Sequence, residues 1–141
     1  MHTDGGGNMS WAQVSTKTKR MHGRVVMIYK PGELIMGYMN NGSWQGNCRQ
    51  ICNDPWPGQI YVGQWKNHKR NGYGVCTYSD GAVYKGHWKD HLRHDTNGCY
   101  AWPSGAKYEG PYVNDCQEGE AKYTFDDGSV RRGVFSKGKK T

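Results

Sequence analysis

The sequence is poor in the residues from which thick hydrophobic cores are made. Val, Ile, Leu and Ala are scarce, hydrophobic residues reach only 35%, and aromatics alone supply 13%. A chain with so few aliphatics cannot build a broad two-layer core and must bury aromatic rings in some thinner arrangement. No stretch approaches the roughly 18 consecutive apolar residues of a membrane-spanning helix, and no apolar segment of a secretory leader stands near the start. The five cysteines (Cys48, Cys52, Cys76, Cys99 and Cys116) are odd in number and scattered, which argues against a secreted disulfide framework. The expected setting is a reducing, intracellular one, cytoplasmic or cytoskeletal.

Catalytic signatures are missing too. There is no G-x-S-x-G, no G-x-x-x-x-G-K and no convincing Ser/His/Asp set. His87, His91 and His94 are close in sequence, but no further Cys/His pair completes a tetrahedral metal set, and Cys48 and Cys52 lack a matching pair. Asp115, Glu118 and Glu120 cluster in what reads as a connecting loop, without the facing pocket that acid/base catalysis needs. No catalytic residue, metal or cofactor is expected.

What is abundant is glycine and positive charge. The 141 residues, enough for one domain, hold 21 glycines and carry a net charge of +7. The charge sits at the ends. Lys17, Lys19, Arg20 and Arg24 lie in one terminal stretch, and Arg131, Arg132, Lys137, Lys139 and Lys140 in the other. Residues 25–130 hold 10 basic and 11 acidic side chains. A nucleic-acid interface would be a basic stripe across the folded body, so no specific nucleic-acid binding is expected. Basic ends fit an acidic partner, an anionic membrane, or simply water.

Self-similarity explains the glycines. Tyr61-Val-Gly63-Gln-Trp65 recurs as Tyr84-Lys-Gly86-His-Trp88 and as Tyr108-Glu-Gly110-Pro-Tyr112, with worn copies at Ile35-Met-Gly37-Tyr-Met39 and Arg131-Arg-Gly133-Val-Phe135. Three residues before each stands a glycine (Gly32, Gly58, Gly81, Gly105, Gly128), at spacings of 26, 23, 24 and 23. Counting by twos, as a strand alternates its faces, puts Tyr61, Trp65, Tyr84, Trp88, Tyr108 and Tyr112 on one face. Gly74, Cys76 and Tyr78 join them, as do Gly98, Tyr100 and Trp102. Alternate positions such as Val62, Lys85, His87 and Glu109 are mixed. Pro57-Gly58, Asp80-Gly81, Ser104-Gly105 and Asp127-Gly128 are tight-turn dipeptides. The spacing predicts six consecutive antiparallel strands over residues 61–130, with a longer connection from Lys66 to Asn71.

Y-x-G-x-W, followed by G-x-G and a turn glycine at a 23-residue period, resembles the MORN (membrane occupation and recognition nexus) repeat. Good copies fall at residues 61–83, 84–107 and 108–130. Degenerate ones cover 12–60, 131–141 is a partial repeat with a basic tail, and 1–11 reads as a flexible start. The copies depart from the pattern at Ala121, which replaces a glycine, at Tyr112 and Met39, which replace Trp, and at one residue inserted between Trp88 and Gly98. The resemblance implies an all-β, elongated, single-layer antiparallel meander of about five hairpins. It also implies a non-catalytic protein-interaction scaffold, a structural subunit of a larger assembly of the ciliary or cytoskeletal kind. A peripheral module that binds acidic phospholipids is the alternative, and pairing of two copies stays open. The aromatic face is either closed core or a binding groove through Tyr61, Trp65, Tyr84, Trp88, Tyr108 and Tyr112. The C-terminal edge, with Arg131, Arg132 and Phe135, is the expected contact for a partner.

Overall fold

The computed structural model describes residues 2–3, 9–14, 17–29, 32–53 and 57–140. Its strands are β1 (His2–Thr3), β2 (Met9–Val14), β3 (Met21–Tyr29), β4 (Glu33–Asn40), β5 (Ser43–Ile51), β6 (Ile60–Lys66), β7 (Lys69–Thr77) and β8 (Val83–Lys89). They continue as β9 (Leu92–Arg93), β10 (Asp95–Ala101), β11 (Lys107–Val113), β12 (Cys116–Gln117), β13 (Gly119–Thr124), β14 (Val130–Ser136) and β15 (Lys139–Lys140). All join one sheet in which chain order is sheet order; β9 pairs with β8 and β12 with β11. No helix occurs among the described residues. The expected all-β meander is therefore the fold. Residues 61–130 supply its six long central strands, two of them broken after two residues, at His94 and Glu118. Strand pairing also reaches into the segment read from sequence as a flexible start, since His2 pairs with Ser10 and Thr3 with Met9.

Two kinds of turn alternate along the sheet. At one end lie Asn41-Gly42, Asn67-His68, Asp90-His91, Asn114-Asp115 and Lys137-Gly138, every residue at a φ between 48° and 82°. Two consecutive left-handed residues make the type I′ turn, whose twist matches that of the strands it joins. Here the expected longer connection from Lys66 to Asn71 is corrected. The strands run on to Lys66 and from Lys69, leaving only Asn67 and His68 between them. Asn and Asp tolerate the left-handed region well enough to build such turns without glycine, so a search for glycine turns passes over them. At the other end are the glycine turns. The Gly81, Gly105 and Gly128 amides donate to the carbonyls of Tyr78, Trp102 and Phe125, each at 3.0 Å. Asp80 and Asp127 carboxylates accept the Ala82 and Ser129 amides at 2.9 and 2.8 Å, which fixes these loops as Asx turns.

Packing is confined to one face, called inner here. The Tyr61, Tyr84 and Tyr108 rings form a row across the sheet and are wholly buried. Each meets its own repeat's fifth residue and that of the next repeat edge to face. The contacts run Trp65–Tyr61–Trp88–Tyr84–Tyr112–Tyr108–Phe135 without a break, with centroids 5.1–6.2 Å apart. A T-shaped pair contributes about 0.5–1.5 kcal/mol beyond its buried area, so this chain of rings couples each hairpin to its neighbour. A second row, Tyr78–Tyr100–Trp102–Tyr123–Phe125, covers the flank. One layer of sheet thus roofs its own aromatic face with its own side chains.

Candidate interaction cleft on the inner face

The three tyrosine rings can lie down because glycine stands beneath them. A Cβ on Gly63 or Gly74 would come within 2.4–2.7 Å of the Tyr61 ring or hydroxyl or of facing backbone, and one on Gly86 within 2.5 Å of the Tyr84 hydroxyl. Lying flat, each hydroxyl donates to the carbonyl three residues on: Tyr61 to Gln64 (3.0 Å), Tyr84 to His87 (3.2 Å) and Tyr108 to Pro111 (2.8 Å). Burial pushes all three phenols up, Tyr108 to about 12 and the other two higher, so they remain protonated donors.

Over these rings reach two arginines from the same repeat position, five residues after Trp65 and Trp88. The Arg70 guanidinium stands 4.7 Å from the Tyr61 centroid and 5.4 Å from that of Trp88. Arg93 lies over Tyr84 (5.7 Å) and Tyr112 (4.9 Å), and its Nε donates to Asp115 Oδ1 at 2.9 Å. Arg70 is buried; its Nε and Nη2 donate to Gln50 Oε1 at 2.9 and 2.6 Å, and Gln50 in turn donates to Glu33. Between the two arginines opens a cleft of about 550 Å³, whose walls include Glu33, Gln59, Tyr78, Trp88, His91 and Asp115. Burial, with help from the Arg70 and Lys69 charges, lowers the His91 pKa below its ordinary value, so that imidazole is neutral at physiological pH. Burial pushes the Cys52 thiol up against the opposing pull of Arg70.

The residues expected from sequence to bind a partner divide. Tyr61, Trp65, Tyr84, Trp88, Tyr108 and Tyr112 come together as expected on one face, but all are at most 5% exposed and form the core of the sheet. Arg131 is exposed and lies on the inner face over Phe125 at 5.7 Å. Arg132 is exposed beside Lys122 on the opposite, outer face. Phe135 is buried, 5.1 Å from the Tyr108 ring. The three histidines have separate neighbours. His87 pairs with Asp95 at 2.9 Å, His91 stacks edge-on to Trp65, and His94 faces Asn114. Of the acidic group, Asp115 belongs to a two-residue turn and Glu120 to β13, while Glu118 accepts the Lys137 amide at 2.9 Å; they share no loop. Arg70, Arg93, Gln50 and Gln59 were not singled out by sequence. The signal was there for the arginines, because repeat register places both at the same position.

A single open sheet whose hairpins recur with the same ring-over-glycine packing defines a β-hairpin repeat protein. The family model of the MORN repeat matches residues 61–83, 84–94 and 108–130, and these hairpins are MORN repeats. The second match is shorter than the copy expected over 84–107. It stops just before a register shift between Asp95 and Gly98, where three steps in β10 oppose two in β11 and absorb the inserted residue. No curated protein matches the chain. MORN repeats occur in protein-interaction and membrane-associated proteins, and the module is generally non-catalytic.

Proposed function

We propose that this chain is a non-catalytic protein-interaction scaffold, a small structural subunit of a larger intracellular assembly of the ciliary or cytoskeletal kind. The observation that supports this most is the outer face. A single layer leaves it uncovered, and Tyr38, Val62, Tyr73, Val113, Val130 and Val134 stand there 42–52% exposed. Large apolar side chains on a sheet face that no second layer covers offer contact area to another polypeptide. The exposed Arg132 on this face, with Arg131 exposed on the inner side of the same strand, gives the C-terminal edge a positive rim for an acidic partner. The five cysteines, all free, suit a reducing compartment.

Capture from native lysate with the full chain, read by mass spectrometry, tests the proposal. A specific set of proteins should be retained by the wild type and depleted by the double variant Arg131→Glu, Arg132→Glu. Retention of the same proteins by both would remove those arginines from the interface. The membrane reading draws on the same exposed cations. Binding to phosphatidylserine vesicles that the double variant loses, with no protein captured, would replace the scaffold by a peripheral membrane module.

A further inference from the structure

Arg70 is a buried cation that no carboxylate of the described chain answers. It is 7% exposed. Its Nε and Nη2 hydrogen bonds go to the Gln50 amide oxygen and the Cys52 sulfur, which are neutral groups. Ion pairs among the described residues join Lys69 to Asp90, His87 to Asp95, Arg93 to Asp115 and Lys122 to Glu109, and none includes Arg70. Taking a guanidinium out of water costs several kcal/mol, and the ring faces of Tyr61 and Trp88 offset only part of it. Arg70 Nη1 donates to nothing among the described residues. In the wall of the same cleft stands Gln59, 6% exposed. Its Nε2 is spent on the Cys76 sulfur, and its Oε1 has no partner. A buried guanidinium without an ion-pair partner and a buried acceptor without a hydrogen-bond partner thus border one cavity. Such groups are costly unless something fills them.

We propose that the cleft receives an acidic segment of a partner polypeptide, with a carboxylate on Arg70 and a main-chain N–H on Gln59. This rests on the scaffold reading above. The chemistry favours a peptide over a phosphate. Glu33 and Asp115 also line the cleft and would repel a dianion more than a single carboxylate. A phosphate monoester brings no N–H for Gln59, whereas every acidic residue does. The planar carboxylate fits the guanidinium edge, and the Trp88 and Tyr78 rings offer apolar surface to its methylenes. About 550 Å³ accommodates one or two residues.

The test is selection of a displayed library of random decapeptides against the full-length chain. Survivors should share a carboxylate at one position. Resynthesis with Glu→Gln or Asp→Asn at that position, or with an amidated C-terminus, tells a side chain from a terminal carboxylate. Whichever change removes the recognised group should weaken binding by about tenfold or more. Arg70→Met should abolish binding. Because that change can also disturb the core, two gentler variants must move affinity in opposite directions. Glu33→Gln should tighten it several-fold and His91→Asp should weaken it several-fold, with circular dichroism unchanged. Survivors without an acidic residue, survivors indifferent to both gentle variants, or no survivors at all would overturn the proposal. So would displacement of the peptide by inorganic phosphate at lower concentration than by acetate. A lysate partner still held by Arg70→Met would sink the cleft and leave the scaffold standing. Peptides bound through Arg70, with no lysate partner, would do the reverse.

Discussion

Tyr84 lies flat across Gly86, its hydroxyl 2.5 Å from where a Cβ on that glycine would stand. The ring cannot retreat, because its hydroxyl is tied to the His87 carbonyl at 3.2 Å and Trp88 and Tyr112 press on it at 5.3 and 5.2 Å. Gly86→Val should therefore destabilise the protein by about 3 kcal/mol, the upper range for overpacking a core. His87→Val, one residue on and exposed on the outer face, should cost about 1 kcal/mol, set by the lost contact with Asp95. Equal denaturant midpoints for the two variants would refute the ring-over-glycine account.

The same ring separates two energies. Tyr84→Phe keeps the edge-to-face packing and removes one hydrogen bond, so a loss of about 1 kcal/mol is expected. Tyr84→Ala removes the link between the second and third hairpins as well, and about 4 kcal/mol is expected. If the two variants unfolded at the same denaturant concentration, the hydroxyl bond and not the ring stacking would carry the coupling.

Sequence reasoning reached the inner face because that face obeys one rule, period 2 within a 23-residue period, from Tyr61 to Tyr112. It missed the hairpin turns at Asn67-His68, Asp90-His91 and Asn114-Asp115, where polar residues adopt left-handed φ without glycine. The bulge between Asp95 and Gly98 escaped notice for a related reason: one inserted residue looks like a longer loop in sequence and becomes a bulge in a strand. Arg70 and Arg93 were hidden differently. Arginine at a strand start reads as solvated, and only the depth of the aromatic face shows that the two guanidiniums bury themselves on rings. Whether the aromatic face is core or groove could not be read from alternation, since it depends on how far neighbouring hairpins lean together.

The turn chemistry gives a stabilising prediction. His68 holds φ at 66° with an exposed side chain, and its amide donates to the Trp44 carbonyl at 3.4 Å. His68→Gly keeps that bond and creates Asn-Gly, the favoured type I′ pair, so stability should rise by about 0.5–1 kcal/mol. His68→Val should fall by at least as much, because a branched side chain resists left-handed backbone. A lower melting temperature for the glycine variant would contradict the turn assignment.

The histidines give a negative one. With His87 on Asp95, His91 on Trp65 and His94 toward Asn114, the three imidazoles do not converge. A chelator should leave the melting temperature unchanged. A fall of several degrees would require a metal at these side chains.

Asp95 sets a pH dependence that can be isolated. Its carboxylate is only 10% exposed and accepts the Asn97 amide at 2.9 Å, the His87 amide at 2.6 Å and His87 Nδ1 at 2.9 Å. Burial alone would raise its pKa, but the Asn97 and His87 bonds together hold it below the ordinary carboxylate value. A carboxyl whose folded pKa is depressed contributes stability that is fully present above its unfolded pKa, about 3.9, and is lost as pH falls through the folded value. Asp95→Asn turns one acceptor into a donor facing N–H groups and should cost about 1–3 kcal/mol near pH 7. Other carboxylates titrate in both proteins, so the difference between them reports on Asp95. The gap in melting temperature should stay constant down to about pH 5 and narrow below about pH 4. A gap as wide near pH 3 as near pH 7 would mean that the Asp95 charge contributes nothing to the bulge that begins at Asp95 in β10, and that its shape alone is what the fold requires.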